Sequence, residues 1–212
     1  MFELSHLRSD DVRFYGGPKT VRASHGNVAS CFASLEDLFA LRSTDVYLHT
    51  SRFAFAVGVR QTLLPLCCAA TVLLADDDKR HEPRKLLVLM CRHAATIWDT
   101  VPSVLSVSLD VIQTFDPATT KRMMETLPDR VIATGEALRW SVAAKFWAVL
   151  GRQRILLNLY AQTESFGALC GYRVPDIVVD TDGSVPVGMP SPHNYNSRSN
   201  SPTHDTQICS SA

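Results

Sequence analysis

Apolar residues recur along this chain with two periods. Between residues 28 and 41, Phe32, Leu35, Leu38, Phe39 and Leu41 follow a mostly three-to-four spacing. That spacing lines one face of a helix, with Asn27 or Ser24 placed to cap it. Helical patterns return over 56–68, 83–94, 102–112, 121–127 and 136–150. The segments at 83 and 102 each open on a proline, whose missing N–H is tolerated in a first turn. Between them lie short β-prone runs at 45–49, 70–75, 96–98, 130–133 and 154–159. The run at 70–75, Ala-Thr-Val-Leu-Leu-Ala, reads as a fully buried strand. The charged stretch 76–80 after it reads as a solvated loop. Strands alternating with helices predict the α/β class, with a mainly parallel sheet flanked by helices. Ligands of such sheets bind beyond the carboxyl ends of the strands. Residues 134–136 and 158–164 fall at two such ends.

The two ends of the chain differ from this pattern. Residues 1–15 are polar with no clear period, and are read as an irregular segment. Residues 191–212 are rich in Ser, Asn, Pro and Thr. They hold too little apolar surface to offset the entropy of ordering and are expected to be a disordered tail. The 16–190 stretch between is read as one folded unit. Of the 212 residues 46% are hydrophobic, enough for an ordinary core.

Charge and cysteine content narrow the function classes. The formal net charge is zero and no basic stripe is present, which argues against a nucleic-acid partner. No segment reaches the roughly 18–20 apolar residues of a membrane helix, and the first residues hold no apolar signal region. No membrane partner and a cytoplasmic location are therefore expected. Cysteines stand at 31, 67, 68, 91, 170 and 209, without a C-x-x-C pair. That spacing reads as reduced thiols packed as small apolar residues, not as a zinc site.

Residues 158–164, Asn-Leu-Tyr-Ala-Gln-Thr-Glu, carry the most specific chemistry. A ring, a hydroxyl and a carboxylate within five residues can stack a base, touch a phosphate and hold a hard metal ion. The run resembles the N-x-Y-G-P-T-E segment of adenylate-forming enzymes, the acyl- and amino-acid-activating ligases. Four further stretches resemble that family, in its order. Gly17 to Val28 is similar to the end of its phosphate loop and the S-H-x-N segment behind it. Ser51 to Val57, then Leu64-Pro65-Leu66 and the apolar run after it, resemble its F-D-x-S and P-L-x-x-G-A segments. Thr96 to Ser103 resembles V-T-x-x-x-x-V-P-S. Arg130 to Leu138 resembles the G-G-E-x-L turn. Downstream, Val185-Pro186-Val187-Gly188-Met189-Pro190 resembles V-P-I-G-x-P.

The resemblance implies a partial N-terminal core of an adenylation domain, closest in style to those of non-ribosomal peptide synthetases. It implies ATP and Mg²⁺ as cofactors and a carboxylic acid substrate, activated as acyl-adenylate with release of pyrophosphate. A phosphopantetheinyl carrier protein or coenzyme A would then receive the acyl group. By resemblance, the backbone of Gly135, Glu136 and Ala137 lies against adenine and the ring of Tyr160 stacks on it. Asn158 and Ala161 belong to the same wall. Thr163 contacts the α-phosphate and Glu164 holds Mg²⁺, with Lys19 and Ser24 near the phosphates.

The departures also carry information. Arg13, Phe14 and Tyr15 stand where the family has Gly, Ser and Thr, Thr20 and Thr134 replace glycines, and Ala161-Gln162 replace Gly-Pro. Ala54 takes the place of the aspartate that meets a substrate ammonium, which favours a plain carboxylic acid over an α-amino acid. Nothing resembles the family's Y-x-T-G-D segment or its C-terminal lysine segment. The chain is accordingly expected to be a fragment, inactive or nearly so alone. A non-catalytic nucleotide-binding or interaction protein, and an incomplete gene model of a full-length synthetase, are the alternatives.

Overall fold

Each apolar run becomes a strand, and each amphipathic run a helix laid across it. In the computed structural model, residues 2–4, 21–163, 166–177 and 183–190 are described. The elements in chain order are β1 (Phe2–Leu4), β2 (Val21–Ala23), α1 (His25–Phe39), β3 (Val46–His49), α2 (Ala56–Cys67), β4 (Thr71–Leu74), α3 (Asp77–Arg80), α4 (Pro83–Arg92), β5 (Ile97–Thr100), α5 (Pro102–Ile112), α6 (Pro117–Thr126), β6 (Arg130–Thr134), α7 (Trp140–Leu150), β7 (Ile155–Gln162), β8 (Gly167–Arg173) and β9 (Met189–Pro190). β1 pairs antiparallel with β2 in a two-stranded sheet. The main sheet runs β4-β3-β5-β6-β7-β8-β9. Its first five strands are parallel, and β8 and β9 join antiparallel. This is the mixed α/β architecture with a mostly parallel, helix-flanked sheet that the alternation predicts.

Period-two alternation divides the core between the two faces of the sheet. Tyr47, Ile97, Ile132, Leu157 and Leu159 pack with Phe32, Leu35 and Phe39 of α1 and Val59 and Leu64 of α2. Leu48, Trp98, Val131, Ala133 and Leu156 pack with side chains of α4, α5 and α7, among them Leu86, Leu105, Leu109 and Phe146. The helix starts follow ordinary capping chemistry. Ser24 caps α1 by accepting from the Asn27 amide at 3.1 Å. Glu82 accepts from the Arg84 and Lys85 amides at the start of α4, and Asp116 from that of Thr119 at the start of α6.

A buried ion pair fastens the amino-terminal edge of the sheet. Arg130, first residue of β6, donates to Asp45 just before β3 and to the last carbonyls of α1, Phe39 at 3.1 Å and Ala40 at 2.9 Å. A cation there also complements the negative end of the helix dipole. Burial pushes the Asp45 carboxyl up, but Arg130, the Arg42 amide and Thr96 outweigh it and hold the group below its ordinary value.

Several expectations are corrected. The 70–75 strand is not fully buried: β4 is the outer strand of the sheet, and Leu74 is 66% exposed. A short apolar run signals a strand but not its place in the strand order. The 76–80 stretch is no loop, because Asp76 caps the Lys79 amide and turns it into the short helix α3. The 136–150 helix begins only at Trp140, since Gly135 takes φ +85° and the following residues make a turn. The 154–159 strand runs on to Gln162, so residues 158–162 are strand, paired with β8. The tail 191–212, Lys19 and Glu164 lie outside the described residues. Among the described residues no helix is long and apolar enough to cross a membrane.

Candidate nucleotide site

Two chain segments leave the sheet side by side. Thr134, the last residue of β6, is the register partner of Leu159 in β7. The turn at 135–137 therefore starts beside Tyr160, at the carboxyl end of parallel strands, where open α/β sheets bind ligands. Gly135 carries φ +85°, a conformation that side chains with a Cβ resist. That geometry exposes the backbone of the turn where a flat group can approach.

The turn is clamped from two directions. Glu136 accepts from the Ser103 amide at 3.0 Å and from the Ser103 hydroxyl at 2.8 Å. Val101, the N-cap of α5, makes no side-chain cap bond, so the Glu136 carboxylate serves as that helix's cap from a distance in sequence. The V-P-S and G-E motifs are thus two halves of one contact. On the other side, the Leu138 carbonyl accepts from the Val185 amide at 2.7 Å, and Trp140 donates to the Gly183 carbonyl at 3.1 Å.

Asn158 ties the same wall from β7. Its buried side-chain amide donates to the carbonyls of Val185 and Pro186, at 3.1 and 3.0 Å. That explains why an asparagine and a V-P-V-G run occur together. Gly188 completes the arrangement with φ +84°, and a Cβ there would stand 2.1 Å from the Gly171 carbonyl oxygen. Only glycine lets this segment approach β8.

The remaining expected residues are distributed as follows. Tyr160 is half-buried, and its hydroxyl accepts from the Gln162 side chain. Ala161 is half-buried beside it. Thr163 is exposed and opens the turn into β8, its carbonyl accepting from the Phe166 amide at 3.0 Å. Ser24 stands at the N-cap of α1, with its hydroxyl engaged by Asn27. The structure brings together 135–137, 158–161 and 185–186.

A second polar cluster, unforeseen from the sequence, lies on the α1/α2 face of the sheet. Asp99 of β5 is fully buried. Its Oδ2 accepts from Tyr47 Oη at 3.0 Å and from Arg60 Nε and Nη2 at 3.2 and 2.6 Å. Its backbone carbonyl accepts from Gln61 Nε2 at 3.0 Å, and Gln61 Oε1 in turn accepts from the Thr50 and Ser51 amides. Burial, then the Asp99 charge, push the Tyr47 phenol well above its ordinary range. Burial works against the Arg60 charge, but Asp99 and Tyr47 outweigh it and keep the guanidinium protonated. The available signal was an arginine and an aspartate each set inside an apolar run, at 60 and 99.

Comparison with known proteins gives the family and the fold, with no statement about individual site residues. The family described as "AMP-binding enzyme" matches residues 16–197. A PKS-NRPS hybrid synthetase of Aspergillus niger is 25% identical over 185 residues, covering 82% of this chain and 9% of its own length. The D-alanine–D-alanyl carrier protein ligase of Bacillus licheniformis is 26% identical over 177 residues, covering 84% of this chain. This chain spans 34% of that ligase. Among solved structures, the Vibrio cholerae adenylation domain AlmE, crystallised with glycyl-adenosine-5′-phosphate, superposes with a TM-score of 0.69 at 23% identity. That match covers 82% of this chain and 31% of AlmE.

Proposed function

Because this chain belongs to the AMP-binding enzyme family, we propose that the clamped turn at 135–137 and residues 158–163 form the adenine side of an adenylate-forming site. One observation carries the reading. The two segments leave adjacent parallel strands in register, and each is held by its own polar clamp. A rigid backbone edge next to a half-buried tyrosine suits a flat heterocycle bound by stacking and backbone hydrogen bonds.

In this reading Tyr160 stacks on adenine and the backbone of 135–137 borders its edge. Asn158 and Glu136 shape the wall through the carbonyls and the helix start they hold. Thr163 approaches the α-phosphate, and Lys19 and Ser24 serve the phosphates. Glu164 supplies the carboxylate for Mg²⁺, an ion that needs one or two carboxylates plus phosphate oxygens. The ion would offset charge on the phosphates as pyrophosphate leaves. The reaction joins a carboxylic acid to the α-phosphate of ATP. A carrier-protein thiol then takes the acyl group, as the name of the D-alanyl carrier protein ligase relative suggests, with coenzyme A as the alternative acceptor.

The chain spans about a third of that ligase, and we expect residues 16–190 alone to bind the nucleotide while turning over little or nothing. ATP–pyrophosphate exchange with a panel of carboxylic acids tests the second half of that statement, and robust exchange would overturn it. Calorimetric titration with AMP tests the first. Tyr160→Ala should weaken AMP binding about tenfold or more, the worth of one base–aromatic stack. Unchanged affinity would remove Tyr160 from the adenine slot.

A further inference from the structure

The hairpin that joins β7 to β8 departs from ideal geometry at two places, both beside residues of the proposed site. Tyr160 pairs with Cys170 but Ala161 with Ala168, so Leu169 is an extra residue on β8. A bulge of this kind bends its strand and re-aims the side chains around it. Further out, the Thr163 carbonyl accepts from the Phe166 amide at 3.0 Å, and Phe166 takes φ +55°. Glycine adopts that conformation readily, whereas for a bulky residue it is an outlier. Such strain persists only where the surroundings over-determine it, and it concentrates at functional sites.

Burial of the ring holds Phe166 in this conformation. The residue is 5% exposed and belongs to the apolar cluster that packs α1 and α2 on the sheet. Thr163, three residues earlier, is exposed. One end of the turn is therefore anchored in the core while the other stands at the surface. The sequence of the tip calls for such an anchor. Ala161 and Gln162 stand where the N-x-Y-G-P-T-E motif has Gly and Pro, so no pyrrolidine ring fixes the backbone just before Thr163. The Gln162 side chain donates to the Tyr160 hydroxyl, and that tie acts on the tyrosine, not on Thr163. A tip free to fluctuate would lose conformational entropy each time its hydroxyl met a phosphate. A turn set in advance by a buried ring avoids that cost at binding. We propose that Phe166 is a positioning residue: its buried ring fixes the turn that opens at Thr163 and so holds the Thr163 hydroxyl where the α-phosphate arrives. This rests on the adenylate-forming reading above and adds to it a residue that acts from the core.

The test titrates the full chain with adenosine and with AMP by calorimetry, so that the ratio of the two affinities isolates the phosphate. The unaltered chain should prefer AMP, and Thr163→Val should reduce that preference about tenfold, the worth of a hydrogen bond to a charged group. Phe166→Gly relieves the backbone and removes the ring. It should lose most of the same preference while adenosine affinity stays within about twofold. The double variant should lose no more than Thr163→Val alone, because both changes act through one hydroxyl. Phe166→Met, which restores an apolar anchor, should recover most of the preference. A ring that only fills the core would lower the urea midpoint of Phe166→Gly without touching the ratio, and that result overturns the proposal. Full additivity in the double variant overturns it too. If Phe166→Gly does not fold, hydrogen exchange in the unaltered chain decides. A Phe166 amide protected before AMP is added supports the anchor, and one protected only by AMP refutes it. No preference for AMP, or an unchanged one in Thr163→Val, removes Thr163 from the phosphate and the proposal with it, yet spares the adenine wall if adenosine binds. Binding of neither probe sinks the nucleotide reading and the proposal together.

Discussion

Two buried aspartate–arginine pairs lie on this sheet, and they are built differently. At the amino-terminal edge, both oxygens of Asp45 are occupied: Oδ1 by Thr96 and Arg130, Oδ2 by the Arg42 amide and Arg130. Arg130 also closes the end of α1. Near the carboxyl end, Arg60 and Tyr47 crowd onto one oxygen of Asp99 and leave the other without a partner. A closed pair serves the fold, since every group in it has an internal partner. An open pair leaves one buried carboxylate oxygen without an internal partner, near the carboxyl ends of the parallel strands. The same two residue types therefore form a fully closed pair at one end and an incompletely closed pair at the other.

The largest expected effect separates the pairs by replacement. Arg130→Met alone should cost about 3–5 kcal/mol in urea unfolding, because it leaves a buried carboxylate uncompensated. The combined replacement Asp45→Leu with Arg130→Met should stay strongly destabilised, since it also abandons the Phe39 and Ala40 carbonyls. By contrast, Arg60→Met, Asp99→Leu and Tyr47→Phe together should fall within about 1 kcal/mol of the unaltered chain, because a buried pair with an orphaned oxygen is no better than packed apolar groups. Equal losses at the two sites would break the comparison.

A smaller effect appears with pH. The folded-state pKa of Asp45 is depressed, so its contribution is fully present above the unfolded value of about 3.9. It is lost as pH falls through the folded value. Urea midpoints measured down through that window should fall more steeply for the unaltered chain than for Asp45→Asn, and parallel profiles would show that Asp45 is not so linked. The smallest effect concerns a closed carboxylate at the ligand end. Glu136→Ala should cost about 1 kcal/mol through loss of the α5 cap. In a double-mutant cycle with Ser103→Ala the two losses should not add, whereas additivity would mean that the contact carries no coupling.

The alternation of periods was enough to read the fold class, and the 102–112 helix coincides with α5 residue for residue. The end of β6 before the turn at 135–137 was also legible, whereas 158–162, read as running out beyond a strand, proved to be strand itself. What stayed hidden depends on partners distant in sequence. The Glu136 side chain reaches Ser103, so residues that look like a helix start form a turn instead. Gln162 lies in a strand because β8 pairs with it, and β8 has too weak a pattern of its own to predict. Arg60 and Asp99 meet only once α2 crosses over β5, and nothing local to either residue says so.

The outer position of β4 has a consequence for anyone who prepares this chain. Thr71-Val72-Leu73-Leu74 has no charge, no proline and no bulge, and among the described residues its far side carries no strand. An open ladder of that composition templates the addition of another like it. Self-association in concentrated solution should therefore begin at the rim of the sheet, and a gatekeeper charge at Leu74, which already faces outward, is the place to suppress it without touching the ligand end.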